Sequence, residues 1–119
     1  MPAHNSPFED FDCQVTIAGA RAVIAAHGEL DLATVPELEA RVMEALAGGA
    51  KEVIVDLFGL TFLDSSGLRL MIVCSEAAKR DGFALQIAVA PDSMPWRLFD
   101  LAGVLPMLPI VEGSRPQAE

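Results

Sequence analysis

The 119-residue chain contains 17 acidic and eight basic residues, which gives a formal net charge of −9, and 52% of its residues are hydrophobic. This length fits a single domain, and the apolar content is sufficient for a substantial core. The few basic residues are scattered, which argues against direct nucleic-acid binding or docking on an anionic membrane, whereas the acidity favours a basic protein partner or simple solubility.

The first part of the chain predicts a flexible tail followed by a β-hairpin. Residues 1–11 are polar, contain two prolines, and lack the basic and apolar regions of a signal peptide, so we expect a cytoplasmic protein. Residues 13–17 alternate apolar and polar side chains, as a half-exposed strand does. A turn at residues 18–21 leads to a second apolar run at residues 22–27, which predicts an antiparallel pair.

The middle of the chain predicts a helix, a buried strand and a second helix. Thr34 followed by Glu37 fits a capping box for the first helix, which a pair of glycines at residues 48–49 ends. The β-branched run at residues 53–57 predicts a strand that is buried on both faces. Phe58 is expected in the turn after this strand, and a helix from about residue 66 to residue 80 follows.

The last third predicts one more strand, a short helix and an edge strand. Residues 83–89 are mostly apolar, and Ser93 caps a helix at residues 94–101. Two prolines restrict a final strand at residues 105–111 to an edge of the sheet, and residues 112–119 are expected to be a second flexible tail. Four large apolar residues of the two later helices are assigned to the core: Leu68, Leu98, Phe99 and Leu101.

Together these elements predict an α/β fold in one domain over residues 12–111. Strands that alternate with helices after an opening hairpin form a mixed sheet of four to five strands covered by helices. Charged residues interrupt every apolar run, so none is long enough to cross a bilayer. Neither the two cysteines, Cys13 and Cys74, nor the two histidines form a metal-ligand cluster, so no metal and no cofactor is expected.

The segment Phe-Leu-Asp-Ser-Ser-Gly-Leu at residues 62–68 places two hydroxyl groups where a strand gives way to a helix. A helix N-terminus leaves backbone N–H groups unpaired, and it accepts either a side-chain oxygen or a phosphate. On local chemistry alone, Asp64, Ser65 and Ser66 are good N-cap residues. A hydrolase is disfavoured because no Gly-x-Ser-x-Gly elbow is present and only His4 or His27 could serve as the base.

Two further motifs give this segment a context. Gly-Glu-Leu-Asp at residues 28–31 precedes it, and Leu-Phe-Asp-Leu-Ala-Gly at residues 98–103 follows it. From about residue 13 to residue 111, the series resembles the STAS family and, within it, the small bacterial anti-anti-sigma factors, also called anti-sigma factor antagonists. The resemblance implies the STAS fold.

The resemblance also implies a phosphorylation switch. In such proteins the serine directly after the motif aspartate, here Ser65, is phosphorylated by an anti-sigma factor that is also a serine kinase. The unphosphorylated form binds that anti-sigma factor and so releases a sigma factor, and a metal-dependent serine phosphatase resets the switch. The protein is then a kinase substrate and not an enzyme.

The expected partner-binding surface comprises Glu29, Asp31, Asp64, Ser65, Ser66 and Gly67. Ser66 is the alternative acceptor, or else a cap. Asp31 and Asp64 either orient the hydroxyl and contact a basic partner, or are ordinary solvated acids. Gly67 either lets a partner approach closely or only eases the backbone.

Two aromatic residues depart from the usual pattern of the family, namely Phe58 and Trp96. Each either enlarges an exposed apolar surface or packs inward. Two other functions remain open. One is a STAS adaptor that is never phosphorylated, such as a subunit of a lipid-transport ABC system or of a stress-signalling complex. The other is a module that binds a small ligand or nucleotide, although the chain has no Walker sequence.

Overall fold

A computed structural model describes residues 11–112 of the chain. Its helices and strands are β1 (Asp12–Ala18), β2 (Arg21–Leu30), α1 (Val35–Ala47), β3 (Glu52–Leu63), α2 (Ser65–Asp81), β4 (Ala84–Ala88), α3 (Met94–Leu101) and β5 (Ile110–Val111). Most of the two predicted tails, residues 1–10 and 113–119, lies outside the described residues. Phe11 packs against the core.

The five strands form one mixed sheet in the order β1-β2-β3-β4-β5. β1 pairs with β2 in the antiparallel sense, as the predicted hairpin requires, and the three other pairings are parallel. Each parallel connection contains one helix. The predicted mixed α/β sheet is therefore confirmed, and it has five strands, the larger of the two predicted numbers.

β3 is longer than the sequence predicts, and Phe58 lies inside it rather than in a turn. Its ladder with β2 continues to the pair Leu30–Leu63, with irregularities on the way. Phe58 is half-buried and packs against a small cluster of Val23, Ile54 and Ala88. The inward alternative for Phe58 is therefore the correct one, because the strand pairing carries the chain straight past the point where a turn was expected.

One hydrophobic core joins the sheet to all three helices. Met71 and Phe99 are fully buried in it, and Leu68 and Leu98 are half-buried against it. Leu101 is 85% exposed, so its assignment to the core is wrong. Leu101 is the last residue of α3, and the buried residue near this end of the helix is Phe99.

Residues 105–111 are not one strand. A 3₁₀ turn at Leu105–Met107 comes first, and only Ile110–Val111 pairs with β4. Pro106 and Pro109 lack the N–H groups that a longer ladder would need. The predicted position at the sheet edge is confirmed. Across residues 11–112, the helices are too short or too polar for any of them to span a lipid bilayer.

Candidate phosphorylation and partner-binding site

The site is assembled at one edge of the sheet, where β2 and β3 both end. These strands are parallel, so the segments that follow them emerge side by side. Leu30 pairs with Leu63, and the Asp64 backbone N–H donates to the Leu30 carbonyl oxygen over 3.3 Å. The structure thus brings two motifs that are more than 30 residues apart in sequence into contact.

Asp64 is the N-cap of α2. Its Oδ1 accepts hydrogen bonds from the backbone N–H of Ser66, at 2.8 Å, and of Gly67, at 3.4 Å. Its backbone is extended, with φ −109° and ψ −169°, as an N-cap residue requires. Asp64 is therefore not a freely solvated acid, and the capping role that the sequence left open among three residues belongs to the aspartate.

The two serines lie in different surroundings. Ser65 is the first residue of α2, and its side chain is exposed; within residues 11–112, nothing forms a hydrogen bond with its hydroxyl. Ser66 is half-buried and lies in a shallow depression of about 150 Å³ between α1 and α2, together with Glu39 and Arg69. Only Ser65 presents an open hydroxyl at the helix terminus.

Asp31 holds the neighbouring loop in a similar way. Its Oδ1 accepts from the backbone N–H of Ala33, at 3.0 Å, and of Thr34, at 3.2 Å. The Thr34 hydroxyl points back into the loop and donates to the Glu29 carbonyl oxygen over 2.8 Å. The predicted Thr34–Glu37 capping box is wrong, because the Thr34 hydroxyl caps no N–H of α1. Glu29 itself is exposed.

Gly67 is buried where α2 crosses the ends of β2 and β3. A Cβ at this position would lie 2.9 Å from Leu30 Cδ2 and 3.0 Å from Leu63 Cγ. Both leucines are fully buried, so they have little room to move. Packing inside the domain is sufficient to explain this glycine, and a contact between Gly67 and a partner stays a prediction.

Sequence reasoning missed two exposed apolar residues beside the site. Leu32 follows Asp31 and is 76% exposed; Phe62 pairs with Glu29 and is 40% exposed. Phe62 could not be assigned to a strand surface because the sequence placed the end of β3 five residues before it. Trp96, by contrast, is half-buried, and its Nε1 donates to Glu112 Oε2 over 2.8 Å.

The cysteines lie away from this edge and are unreactive in character. Burial, with the charges of Glu37 and Asp12, raises the pKa of the Cys13 thiol to about 12, and burial raises that of Cys74 to about 11. Both thiols are therefore protonated at neutral pH. No group of three or more His, Cys, Asp or Glu side chains within residues 11–112 is arranged to hold a metal ion.

Comparison with known proteins agrees with this architecture. A family model described as "Mlab, STAS domain" matches residues 13–109. The anti-sigma-B factor antagonist of Staphylococcus aureus is 32% identical over 87 residues, which cover 73% of this chain and 80% of the relative.

Two solved structures share the fold. The unphosphorylated anti-sigma factor antagonist SpoIIAA has a TM-score of 0.70 at 22% identity, over 87% of this chain and 89% of its own. The phosphorylated form of the Bacillus cell fate determinant SpoIIAA has a TM-score of 0.62 at 23% identity, over 87% and 91% of the two chains. The predicted STAS fold is confirmed, and the chain belongs to the STAS-domain family of anti-sigma factor antagonists.

Proposed function

We propose that the unphosphorylated protein binds an anti-sigma factor with serine kinase activity and thereby releases a sigma factor, and that phosphorylation of Ser65 ends this binding. A serine phosphatase restores the binding form. The protein is the substrate of these reactions and not an enzyme, it needs no cofactor or metal, and it acts in the cytoplasm. The observation that carries the proposal is the exposed Ser65 hydroxyl beside an aspartate that already caps the helix.

Ser65 is a better acceptor than Ser66 on steric grounds. A kinase must receive the hydroxyl in its own active site, so the side chain has to protrude from the domain. Ser65 is exposed at the first position of α2, whereas Ser66 is half-buried between two helices. A kinase therefore reaches the Ser65 hydroxyl more readily than the Ser66 hydroxyl, which lies in the depression between α1 and α2.

The fold is suited to carry a phosphate at Ser65 without rearrangement. The cap of α2 depends on Asp64 and not on the serine hydroxyl, so modification removes no hydrogen bond of the domain. The positive end of the helix dipole lies next to the added charge, which is about −1.5 to −2 at neutral pH.

A bound partner would meet that charge in an unfavourable setting. Asp31, Glu29 and Asp64 already make this edge acidic, so the basic groups of a matching partner pair with these acids and leave the phosphate without a counter-charge. Leu32 and Phe62 supply exposed apolar area beside the acids. A phosphate forced under an apolar contact costs several kcal/mol, and about 1.4 kcal/mol is tenfold in affinity.

Relatives give independent support. The staphylococcal relative is named an anti-sigma-B factor antagonist, and SpoIIAA is described in a phosphorylated and an unphosphorylated form. These descriptions concern those proteins, and they make the same switch the simplest proposal for this chain.

A pull-down from the native host tests the proposal. Wild type, Ser65→Ala and Ser65→Asp serve as baits, with Ser66→Ala as the matched control, and mass spectrometry identifies the captured proteins. We expect all baits except Ser65→Asp to capture a serine kinase of the anti-sigma type. Equal capture of transporter subunits or of a large signalling complex by every bait would instead show a constitutive adaptor.

A further inference from the structure

β1 forms an edge of the sheet that is open to pairing. Its seven residues pair with β2 without interruption, and within residues 11–112 no strand lies on its other side. Val15 is 41% exposed and Ile17 is 58% exposed. An edge strand leaves alternate backbone N–H and C=O groups unpaired, and charged residues, prolines or bulges usually protect such a strand from association.

None of these protective features occurs in β1 after its first residue. Residues 13–20 read Cys-Gln-Val-Thr-Ile-Ala-Gly-Ala, without a charge or a proline, in a chain in which 21% of residues are charged. The opposite edge is different, because β5 has only two residues and follows Pro109 directly. The sheet therefore has one protected edge and one open edge.

We propose that β1 is a self-association surface, on which a second copy of this chain pairs its own β1 in the antiparallel sense to form a ten-stranded sheet. The charges at the two ends of β1 select this occupant and this direction. Asp12 begins the strand. At its other end, Ala18 pairs with Arg21, and the Lys51 backbone N–H donates to the Ala20 carbonyl oxygen over 2.7 Å.

These neighbours make the far end of the strand the more positive one. Arg21 forms an ion pair with Glu52 at 2.9 Å, and Lys51 adds a further positive charge there. Antiparallel pairing places Asp12 of each copy near this end of the other copy, whereas parallel pairing would place like charges together.

The side chains of β1 are self-complementary in this arrangement. A two-fold axis at Val15 sets the two Val15 residues opposite each other and places Cys13 opposite Ile17 on the same face. Gln14 then faces Thr16 on the other face. Val15 is covered by a second Val15, a favourable β-branched cross-strand neighbour, and Ile17 is covered by the Cys13 side chain.

Sedimentation equilibrium on the full chain tests the proposal at concentrations from about 1 µM to about 1 mM, the range in which weak specific association is measured. We expect a monomer–dimer equilibrium, and Ile17→Lys raises its dissociation constant at least tenfold. Leu101→Lys is the matched control, because Leu101 is exposed and lies on α3. A monomer at every concentration overturns the proposal, and so does a dimer that Ile17→Lys leaves unchanged.

Disulfide trapping tests the register. In a Cys13→Ser background, Val15→Cys forms an intermolecular disulfide under mild oxidation, because residues directly opposite each other in an antiparallel pair have Cα atoms within disulfide range. Thr16→Cys is the control and stays reduced, because residue 16 faces Gln14 of the other copy and the two introduced cysteines are therefore offset by two positions along the strands. Preferential trapping of Thr16→Cys overturns the proposed pairing. The outcome is independent of the partner switch, because Val15 and Ile17 lie on β1 and do not belong to the site around Ser65 at the start of α2.

Discussion

Replacing Asp64 by alanine removes the acceptor that closes the N-terminus of α2. The backbone N–H groups of Ser66 and Gly67 lose a partner, and the Ser66 bond, at 2.8 Å to a carboxylate, is the stronger of the two. Loss of an N-cap costs about 0.5–2 kcal/mol. Because Asp64 is half-buried, water replaces the lost acceptor only in part, and we expect a loss in the upper half of that range.

Three further variants make the prediction specific. Asp64→Asn keeps an oxygen acceptor and costs less than about 0.5 kcal/mol. Ser65→Ala and Ser66→Ala also stay within about 0.5 kcal/mol of wild type, because neither hydroxyl caps the helix. The alternative interpretation, in which the serines cap α2, requires one of these two variants to be as costly as Asp64→Ala.

Urea unfolding followed by circular dichroism measures the series. With a slope of about 2 kcal/mol per molar urea, a loss of about 1.3–2 kcal/mol lowers the midpoint by about 0.6–1 M. If Asp64→Ala unfolds at the wild-type midpoint, the cap geometry described here is not what stabilises the start of α2.

Three other outcomes follow from the packing of two glycines and from the two thiols, of which Cys74 is buried and Cys13 is half-buried. Gly67→Ala lowers the free energy of unfolding by about 1 kcal/mol, because crowding against Leu30 outweighs the gain in helix propensity; an unchanged urea midpoint would show that the contact relaxes freely. Gly59→Ala costs more, about 2 kcal/mol, since its Cβ would lie 2.9 Å from a backbone carbonyl oxygen; a smaller loss than that of Gly67→Ala would contradict this order. The thiols of Cys13 and Cys74 have a pKa near 9 when the chain is unfolded, but about 12 and about 11 when it is folded, so the melting temperature falls as the pH rises above about 9. The double variant Cys13→Ala, Cys74→Ala shows a smaller fall. If the melting temperature of this variant falls as steeply with pH as that of wild type, the prediction is wrong.

The sequence predicted the bounds of the helices that begin or end at a capping residue. α3 begins and ends where expected, because Ser93 caps it and a proline fits in its first turn. α2 ends before Gly82, whose φ of 80° suits a glycine after a helix. The ends of β2 and β3 were predicted too early, because the apolar runs at residues 22–27 and 53–57 stop before Gly28 and Gly59. In the structure both glycines lie within paired strands.

The candidate site shows the same division. The sequence predicted that the two acidic motifs flank Ser65, and the parallel β2–β3 pairing places both motifs at neighbouring strand ends. It did not distinguish Asp64 from Ser65 as the cap, since both residue types cap helices well. Only the backbone path decides which side chain reaches the free N–H groups. The exposure of Phe62 likewise depends on the full length of β3, which is set by its partner strand.

The most direct test of the switch uses the kinase that the pull-down isolates. The purified partner is bound to wild type, Ser65→Ala or Ser66→Ala, ATP and magnesium are added, and dissociation is followed while mass spectrometry locates the phosphate. We expect wild type and Ser66→Ala to acquire a phosphate on Ser65 and dissociate, while Ser65→Ala remains bound. Phosphate on Ser66, or a wild-type complex that persists after Ser65 is fully phosphorylated, would contradict it.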